Sequence, residues 1–191
     1  MQATMPITQA NMDVIVGSGS EEAQIEIERV FAENKELVFR AAYRVTGNSS
    51  DAEDVLQTVF LRLIRSPQPP EIRHLRAYLH RAAVNAALDL LRARKDSHNL
   101  PLEEQPEIAG GASAAVRQET GELRSWLRHA LARLNPKWAE MFVLRFIEDY
   151  NNREIARLMK TSAPAVAVAL HRTRAQLKKD YLATMKTRGT R

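Results

Sequence analysis

The apolar residues recur at helical spacing in three successive runs between residues 25 and 96. Gly47 ends the first run, and Ser50 with Glu53 has the spacing of a capping box at the start of the second. A cluster of prolines separates the second run from the third, which covers residues 73–94. The pattern predicts three amphipathic helices in one compact module.

A second set of apolar runs lies between residues 122 and 185, and its helix boundaries carry strong local signals. Asn135 followed by Pro136 predicts an N-cap and the first residue of a helix. Asn151 and Glu154 again have capping-box spacing, and they precede a short helix.

The last helix is predicted to begin after Ser162, which is placed as its N-cap, and to run to about Leu182. A short helix, a brief turn and a long basic helix are typical of a helix-turn-helix. The sequence contains no strand pattern of useful length. We therefore predict an all-α fold with two small helical modules.

Three segments lack a helical period and divide the chain. Residues 1–24 are predicted to be a disordered tail, and residues 97–121, rich in carboxylates, Pro and Gly, to be an acidic flexible linker. Residues 186–191 are predicted to be a basic tail. The two modules are then residues 25–96 and residues 122–185.

The charge is distributed unevenly along the chain, although 28 Lys+Arg and 23 Asp+Glu give a net charge of only +5. Residues 66–96 carry about +3 and residues 122–191 about +9, with about −3 between them. A polyanion partner is the first interpretation of the basic blocks, and a solvated basic face is the alternative.

The composition excludes several classes of protein. The chain has no Cys, so it has neither disulfides nor a Cys-ligated zinc, and the cytoplasm is the expected compartment. No apolar run approaches the roughly 18 residues of a membrane span, so no membrane insertion is expected.

Catalytic chemistry finds no support in the sequence. None of the five histidines has another three or four residues away on a predicted helix. The carboxylates of Asp51, Glu53 and Asp54 cluster, but they lie in a first helical turn, where the helix dipole favours negative charge. We expect neither an enzyme nor a cofactor.

The ordered set of motifs resembles the sigma-70 family of RNA polymerase sigma factors, in its extracytoplasmic-function (ECF) subfamily. The resemblance covers roughly residues 27–96, similar to sigma region 2, and residues 122–182, similar to sigma region 4. The stretches that carry it are DAEDVLQTVFLRL (51–63), LRAYLHRAAVNAALDLLR (75–92), ARLNP (132–136), VLRF (143–146), EIA (154–156) and LHRTR (170–174).

The resemblance implies a protein that binds core RNA polymerase, directs it to promoter DNA and assists DNA melting, without covalent chemistry. It is expected to be a monomer when free. The residues at the polymerase-binding positions are Asp51, Asp54, Gln57, Phe60 and Leu61. Some of these residues, and the neighbouring Glu53, have an alternative role: Asp51, Glu53 and Asp54 stabilising their own helix, and Phe60 belonging to the core.

The third helix is expected, from the same resemblance, to line the melted −10 element. Tyr78 is either a base-stacking residue or a core aromatic, and Asp89 is expected to hold a neighbouring arginine. The candidates for −10 contacts are Arg73, Arg76, Tyr78, His80, Arg81, Asn85, Arg92 and Arg94.

The −35 element is expected to meet the start of the last helix, which here departs from the family pattern by being apolar. We expect Val166 and Leu170 to face the core and Ala169 to lie near the groove, so that direct base readout is weak. Lys160 replaces the glycine that is usual in the turn. The candidates for −35 contacts are Arg153, Lys160, Ser162, Ala165, Ala167, Val168, His171, Arg172 and Arg174.

Two alternatives stay open at this point. The apolar start of the last helix would also suit docking of a second protein, such as an anti-sigma factor. The other alternative is a helix-turn-helix regulator that binds duplex DNA without polymerase.

Overall fold

A computed structural model describes residues 21–66, 72–96 and 114–188. These ranges contain seven helices and no strand, so the predicted all-α class is confirmed. In chain order the helices are α1 (Glu21–Thr46), α2 (Ser49–Ile64), α3 (Ile72–Asp96), α4 (Ala114–Leu131), α5 (Pro136–Phe146), α6 (Asn152–Leu158) and α7 (Ala163–Arg188).

The first of two structural units ends at Lys35 and contains the described start of α1. Within it, Arg29 lies 3.6 Å from the carboxylate of Glu26 and 3.4 Å from that of Glu33. Exposed pairs of this kind stabilise a helix by only a few tenths of a kcal/mol. α1 begins inside the segment predicted as a tail, and residues 1–20 lie outside the described ranges.

The second unit begins at Glu36 and contains all the other helices. Gly47 ends α1, as predicted, because it adopts φ +69°, a left-handed conformation that suits glycine. Its N–H donates to the carbonyl of Tyr43 at 2.7 Å, which closes the last turn of the helix.

The start of α2 differs from the sequence prediction. The N-cap is Asn48, whose backbone is extended and whose Oδ1 accepts a hydrogen bond from the N–H of Asp51 at 3.0 Å. Ser50 is already inside the helix, so the predicted capping box of Ser50 and Glu53 is wrong. The reason is local. Asn48 lies two residues before Ser50, and its side chain accepts a hydrogen bond from a first-turn N–H that has no partner within the helix.

The core of the first module forms where the apolar stripes of the end of α1, of α2 and of α3 meet, and α2 packs on α3. Burying a Val or Leu side chain contributes about 1.5–3 kcal/mol. The fully buried side chains here are Val38, Val45, Val55, Val59, Leu79, Val84, Leu88 and Leu91.

The second module is longer than the sequence indicated at both ends. α4 begins at Ala114, so residues 114–121 are helical rather than part of a flexible linker, and residues 97–113 lie outside the described ranges. α7 runs to Arg188, beyond the predicted end near Leu182 and into the segment predicted as a basic tail.

The caps inside the second module match the predictions. Asn135 accepts a hydrogen bond from the N–H of Lys137 at 3.0 Å, with Pro136 as the first helical residue. Asn151 and Glu154 form both arms of the capping box, with distances of 3.0 and 2.7 Å. The hydroxyl of Ser162 accepts from the N–H of Ala165 at 3.3 Å and caps α7.

The two modules pack on each other, with α3 against α4 and α5. The sequence predicts two modules on a linker and gives no sign of this contact. The polar pairs that link the modules, such as His80 with Glu148 and Arg81 with Glu140, follow no sequence period, so the pattern of apolar residues does not indicate them.

A pair of glycine substitutions tests this packing. Gly47→Ala places a Cβ at positive φ and 2.5 Å from Nη1 of Arg128 in α4, so it should lower the free energy of unfolding by about 1–2 kcal/mol. Gly121→Ala, in the interior of α4 with open space around its Cα, should raise it by about 0.5–1 kcal/mol. Urea unfolding followed by circular dichroism measures both, and equal effects would contradict the structure.

In the part of the chain described here, no helix combines the length and apolar character needed to cross a membrane. The same residues hold no group of three or more His, Asp or Glu side chains that could bind a metal ion.

Candidate nucleic-acid interface

The surface of α2 separates the predicted polymerase contacts into two groups. Asp54 is exposed, and Gln57 and Leu61 are partly exposed, so these three side chains are accessible. Asp51 is only 1% exposed and forms an ion pair with Arg94, while Phe60 is 5% exposed in the core. Asp51 and Phe60 are therefore interior residues. Phe60 belongs to the core, which is the alternative considered for it, whereas the carboxylate of Asp51 is paired with α3 and does not act only on its own helix.

The outer face of α3 presents part of the predicted −10 surface. Arg76 is exposed, and Tyr78 is 40% exposed, so Tyr78 is not a core aromatic. An exposed aromatic ring beside an arginine is suited to stacking on an unpaired base. The side chain of Arg73 lies outside the described residues.

The last two turns of α3 bind to their own module. Arg92 donates from Nη1 to Oδ1 of Asp89 at 2.8 Å, which confirms the expectation that Asp89 holds a neighbouring arginine. Arg94 donates to the buried carboxylate of Asp51. These two arginines support the fold of the module, and the Nε and Nη2 atoms of Arg92 are buried rather than presented to DNA.

His80 lies in a polar cluster between the modules. Its Nε2 is 2.6 Å from Oε2 of Glu148 and its Nδ1 is 2.8 Å from the hydroxyl of Tyr150, whose ring stacks on the imidazole at 5.3 Å between centroids. Arg44, at the end of α1, donates two hydrogen bonds to the same carboxylate. The side chain of Glu148 is 1% exposed, so this buried carboxylate depends on its hydrogen bonds with Arg44 and His80.

The pKa values of this cluster reflect its burial and its hydrogen bonds. Burial works to raise the pKa of Glu148, but the hydrogen bonds from His80 and Arg44 outweigh it and hold the pKa below its ordinary value. The hydrogen bond to Glu148 raises the pKa of Arg44. Burial, together with the nearby charge of Glu148, raises the pKa of Tyr150. Glu148 is therefore an anion, and Tyr150 a neutral phenol, at neutral pH.

A second polar cluster lies one turn further along α3. Arg81 donates from Nε to Oε1 of Glu140 and from Nη1 to the carbonyl of Leu158 at 2.7 Å. Asn85 donates to the same Glu140 oxygen at 3.1 Å. Three of the predicted −10 residues, His80, Arg81 and Asn85, thus contact the second module.

The helix-turn-helix of the second module is formed by α6, a short turn and α7. Lys160 in the turn adopts φ +51°, the left-handed conformation in which glycine is usual, so the turn keeps its shape at some cost in strain. Val166 and Leu170 are buried, as expected. Ala169 is also buried, so its predicted position near the DNA groove is wrong, because it lies on the same buried face as Val166 and Leu170.

The predicted −35 residues other than Ala169 form an exposed surface around the start of α7. Val168, at the centre of this surface, is 52% exposed. Small apolar residues flank it, and cationic residues surround it. The guanidinium carbon of Arg174 lies 5.7 Å from the ring centroid of Phe146, and this cation–π contact orients the Arg174 side chain. The exposed members are Arg153, Lys160, Ser162, Ala165, Ala167, Val168, His171, Arg172 and Arg174.

The sequence prediction missed the anionic partners of α3. Glu140 is buried between Ala139 and Met141, two buried residues of α5, and a carboxylate in an apolar stripe is a signal for a cationic partner. Glu148 and Tyr150 lie in the loop after α5, where no periodicity marks them. The role of Arg44 can be identified only from its pairing with Glu148, because the residues around it on α1 do not distinguish it from other arginines.

Comparison with known proteins agrees with this arrangement of two modules. Residues 30–97 match the family described as Sigma-70 region 2, and residues 124–177 match Sigma-70, region 4. The first match covers most of the α1–α3 module, and the second covers α5, α6 and much of α4 and α7.

Several curated relatives cover most of the chain. The RNA polymerase sigma-E factor of Streptomyces coelicolor is 31% identical over 160 residues, which are 83% of this chain and 88% of the relative. The ECF RNA polymerase sigma factor SigW of Bacillus subtilis is 25% identical over 179 residues, or 86% and 92% of the two chains.

The ECF RNA polymerase sigma factor SigE of Mycolicibacterium smegmatis is 31% identical over 172 residues, which are 89% of this chain but 66% of the longer relative. Both family matches fall on separate helical modules, in the order region 2 and then region 4. The chain therefore belongs to the extracytoplasmic-function subfamily of the sigma-70 family and is an RNA polymerase sigma factor.

Proposed function

We propose that the chain, a monomer in the cytoplasm when free, binds core RNA polymerase through the accessible face of α2 and selects promoters mainly through α3. The observation that carries this proposal is the split on α2. Asp54, Gln57 and Leu61 recur three and four residues apart on one accessible face, while the neighbouring Asp51 and Phe60 are buried.

The α2 face has the composition of a protein-binding surface. Asp54 supplies a carboxylate for a basic partner, Gln57 a donor and an acceptor, and Leu61 an apolar anchor. None of these side chains is fully buried in the free protein, so binding requires no local unfolding of α2.

The −10 element is assigned to α3. Tyr78 offers an exposed ring to an unpaired base, and Arg76 offers an exposed cation to the backbone. Asn85 has both a donor and an acceptor for a base edge, and Arg81 a fork for phosphate. The protein binds and positions DNA here, and it holds no group for covalent chemistry among these residues.

The −35 element is assigned to the start of α7. This surface is better suited to binding the DNA backbone than to reading the base sequence. The exposed side chains at the centre of this surface are Ala165, Ala167 and Val168, which offer only apolar contact to thymine methyl groups. The surrounding cations and the capped N-terminus of α7 attract phosphate regardless of sequence. Promoter choice should therefore depend more on the −10 than on the −35 element.

In vitro transcription with purified core polymerase tests the proposal. Start sites are mapped on genomic DNA fragments with the wild type and with the double variant Asp54→Ala plus Gln57→Ala. Loss of two interface contacts should lower specific starts by about tenfold or more, because a few central residues dominate such interfaces. The same variant should keep its free energy of unfolding, since both side chains are accessible.

Glu53→Ala is the matched control, since it removes one exposed carboxylate from the same turn of α2. It should leave the starts unchanged. The proposal fails if the protein binds specific duplex sites without polymerase and gives no new starts with it. In that case the chain acts on DNA by itself, as a helix-turn-helix regulator does.

A further inference from the structure

The last helix continues for several turns past the helix-turn-helix. α7 runs from Ala163 to Arg188, whereas the match to region 4 ends at residue 177. Eleven helical residues, 178–188, therefore extend α7 beyond the part of the chain that matches the family. The −35 contacts assigned above end at Arg174, so they leave this extension without a role.

The extension packs against its own module and has a fixed orientation. The ring of Tyr181 meets the ring of Trp126 in α4 edge to face, with 4.9 Å between their centroids. Leu177, one turn earlier on the same side of α7, is only 6% exposed. Because this side of α7 is held against α4, the opposite side of the extension points in the same direction as the exposed start of the helix.

A row of cations runs along that opposite side. Arg172, Lys179 and Lys186 recur every seven residues, which is about two helical turns, and all three are exposed. We call these three residues the cationic stripe. Val168 lies one turn before Arg172 on the same side and is 52% exposed. The cationic stripe is therefore continuous with the surface assigned to the −35 element.

Acidic side chains do not offset the charge of this side of α7. Residues 163–191 contain seven Lys or Arg and a single acidic residue, Asp180. The carboxylate of Asp180 accepts hydrogen bonds from Nε2 of Gln176 at 2.9 and 3.0 Å, and it lines the cleft between α7 and α4. Asp180 is thus turned toward α4, about 100° around the helix from Lys179.

We propose that the cationic stripe binds the phosphate backbone of duplex DNA beside the −35 element. The inference rests on the proposed function, because that function places DNA at the start of α7. Two observations select DNA as the occupant: the charge of the stripe is complementary to phosphate, and the stripe continues the −35 surface. Its side chains offer cations and no amide or carboxylate for base edges, so the expected contact is independent of sequence.

The length of the stripe shows which part of the DNA it would meet. At 1.5 Å per residue, Lys186 lies about 21 Å along α7 from Arg172. The major groove is only about 12 Å wide, so a straight helix that enters it with its first turns crosses the groove edge before its last turns. Lys179 and Lys186 are therefore placed for phosphates outside the bases that the first turns meet. Such contacts add affinity where the apolar start of α7 provides little.

The salt dependence of DNA binding by the full chain tests the stripe. Binding of a mixed-sequence duplex of about 20 base pairs is followed by fluorescence anisotropy, without polymerase, between about 50 and 200 mM salt. Each phosphate contact contributes about 0.9 to the slope of log K against log salt concentration. Lys179→Gln plus Lys186→Gln should therefore make the slope shallower by about 1.8 and weaken binding by about tenfold or more.

Two further double variants serve as controls. Lys35→Gln plus Lys137→Gln removes two positive charges at exposed positions of α1 and α5, so it corrects for net charge and should leave the slope unchanged. Lys179→Arg plus Lys186→Arg keeps both charges and should keep the wild-type slope. All four lysines are exposed, so circular dichroism should show the wild-type helix content in every variant.

Backbone cleavage in the holoenzyme locates the contact. The chain has no Cys, so Leu182→Cys provides a unique site for an iron chelate, at a 51% exposed position between Lys179 and Lys186. With core polymerase and a promoter identified by start-site mapping, the chelate should cut the DNA backbone next to the −35 element. Specific starts without such cuts would overturn the inference.

The results separate this inference from the proposed function. Equal slopes for Lys179→Gln plus Lys186→Gln and for the charge-matched control overturn the DNA-binding role of the stripe, even if specific starts are observed. If that variant nevertheless lowers the number of starts, a protein partner occupies this side of α7. Absence of starts with wild type and core polymerase overturns the proposed function, whereas a shallower slope in the same variant still supports DNA binding by the stripe.

Discussion

Replacing Asp51 with alanine should lower the free energy of unfolding by about 3 kcal/mol, although Asp51 resembles its acidic neighbours in the sequence. Its carboxylate is buried and paired with Arg94, which joins the start of α2 to the end of α3. Removing one partner of a buried ion pair leaves the other charge poorly compensated. The melting temperature should fall by roughly 6–12 °C for a chain of this size.

Asp54→Ala is the natural comparison, because it removes a carboxylate three residues later from an exposed position. Its effect should stay within about 0.5 kcal/mol. A double-mutant cycle with Arg94→Leu isolates the pair: removing both partners should cost less than the sum of the single changes. Additive effects, or equal effects of Asp51→Ala and Asp54→Ala, would contradict the buried pair. Urea denaturation and thermal melting provide the measurements.

The start of α2 also shows which features a sequence can predict. Helix existence and the boundaries at Gly47, Asn135 and Asn151 depend on contacts within a few residues, and these predictions are confirmed. The capping box at Ser50 failed because Asn48, two residues earlier, caps the N–H of Asp51, so that Ser50 already lies inside the helix. Local chemistry thus limits both the successes and the errors at helix ends.

The difference between Asp51 and Asp54 could not be predicted in the same way. Both carboxylates lie in the first turns of α2, where the helix dipole stabilises negative charge, so local reasoning predicts the same role for both. Only the position of Arg94, 43 residues later in the chain, makes Asp51 an interior residue. A helical pattern predicts the face on which a residue lies. It does not predict which long side chain from another helix contacts that residue.

The contact between the modules could not be predicted from the sequence, for a related reason. His80, Arg81 and Asn85 fit a nucleic-acid surface by residue type, and they fit an internal polar contact equally well. The choice depends on where Glu140 and Glu148 lie, and those residues are more than 50 positions away. Residue type therefore predicts the chemistry of this surface, whereas its partner in the free protein is a property of the tertiary structure.

The helix-turn-helix illustrates the opposite case, in which the sequence predicts most of the site. The helical period correctly places Val166 and Leu170 in the core and leaves Val168 exposed. Ala169 departs from the expectation because the buried face of α7 is wide enough to include the residue next to Leu170. Its burial removes one apolar group from the DNA side and makes the −35 surface depend still more on the cations around it.

Phe60→Ala should give the second large effect, a loss of about 4 kcal/mol in the free energy of unfolding. The ring is 5% exposed in the core, and truncating a buried Phe removes its transfer free energy and leaves a cavity. The adjacent Leu61 is partly exposed, so Leu61→Ala should cost about 1 kcal/mol or less. Chemical denaturation of the free protein measures both.

Transcription assays then distinguish a core residue from a polymerase contact. Phe60→Leu keeps an apolar side chain in the core, so it should restore most of the stability and support specific starts with core polymerase. Leu61→Ala should behave in the opposite way, with nearly normal stability and fewer starts. If Phe60→Ala left stability unchanged while abolishing starts, Phe60 would contact polymerase, and the packing of α2 described here would be wrong. Because the two residues are neighbours in one helix, the comparison tests which face of α2 is turned toward the core.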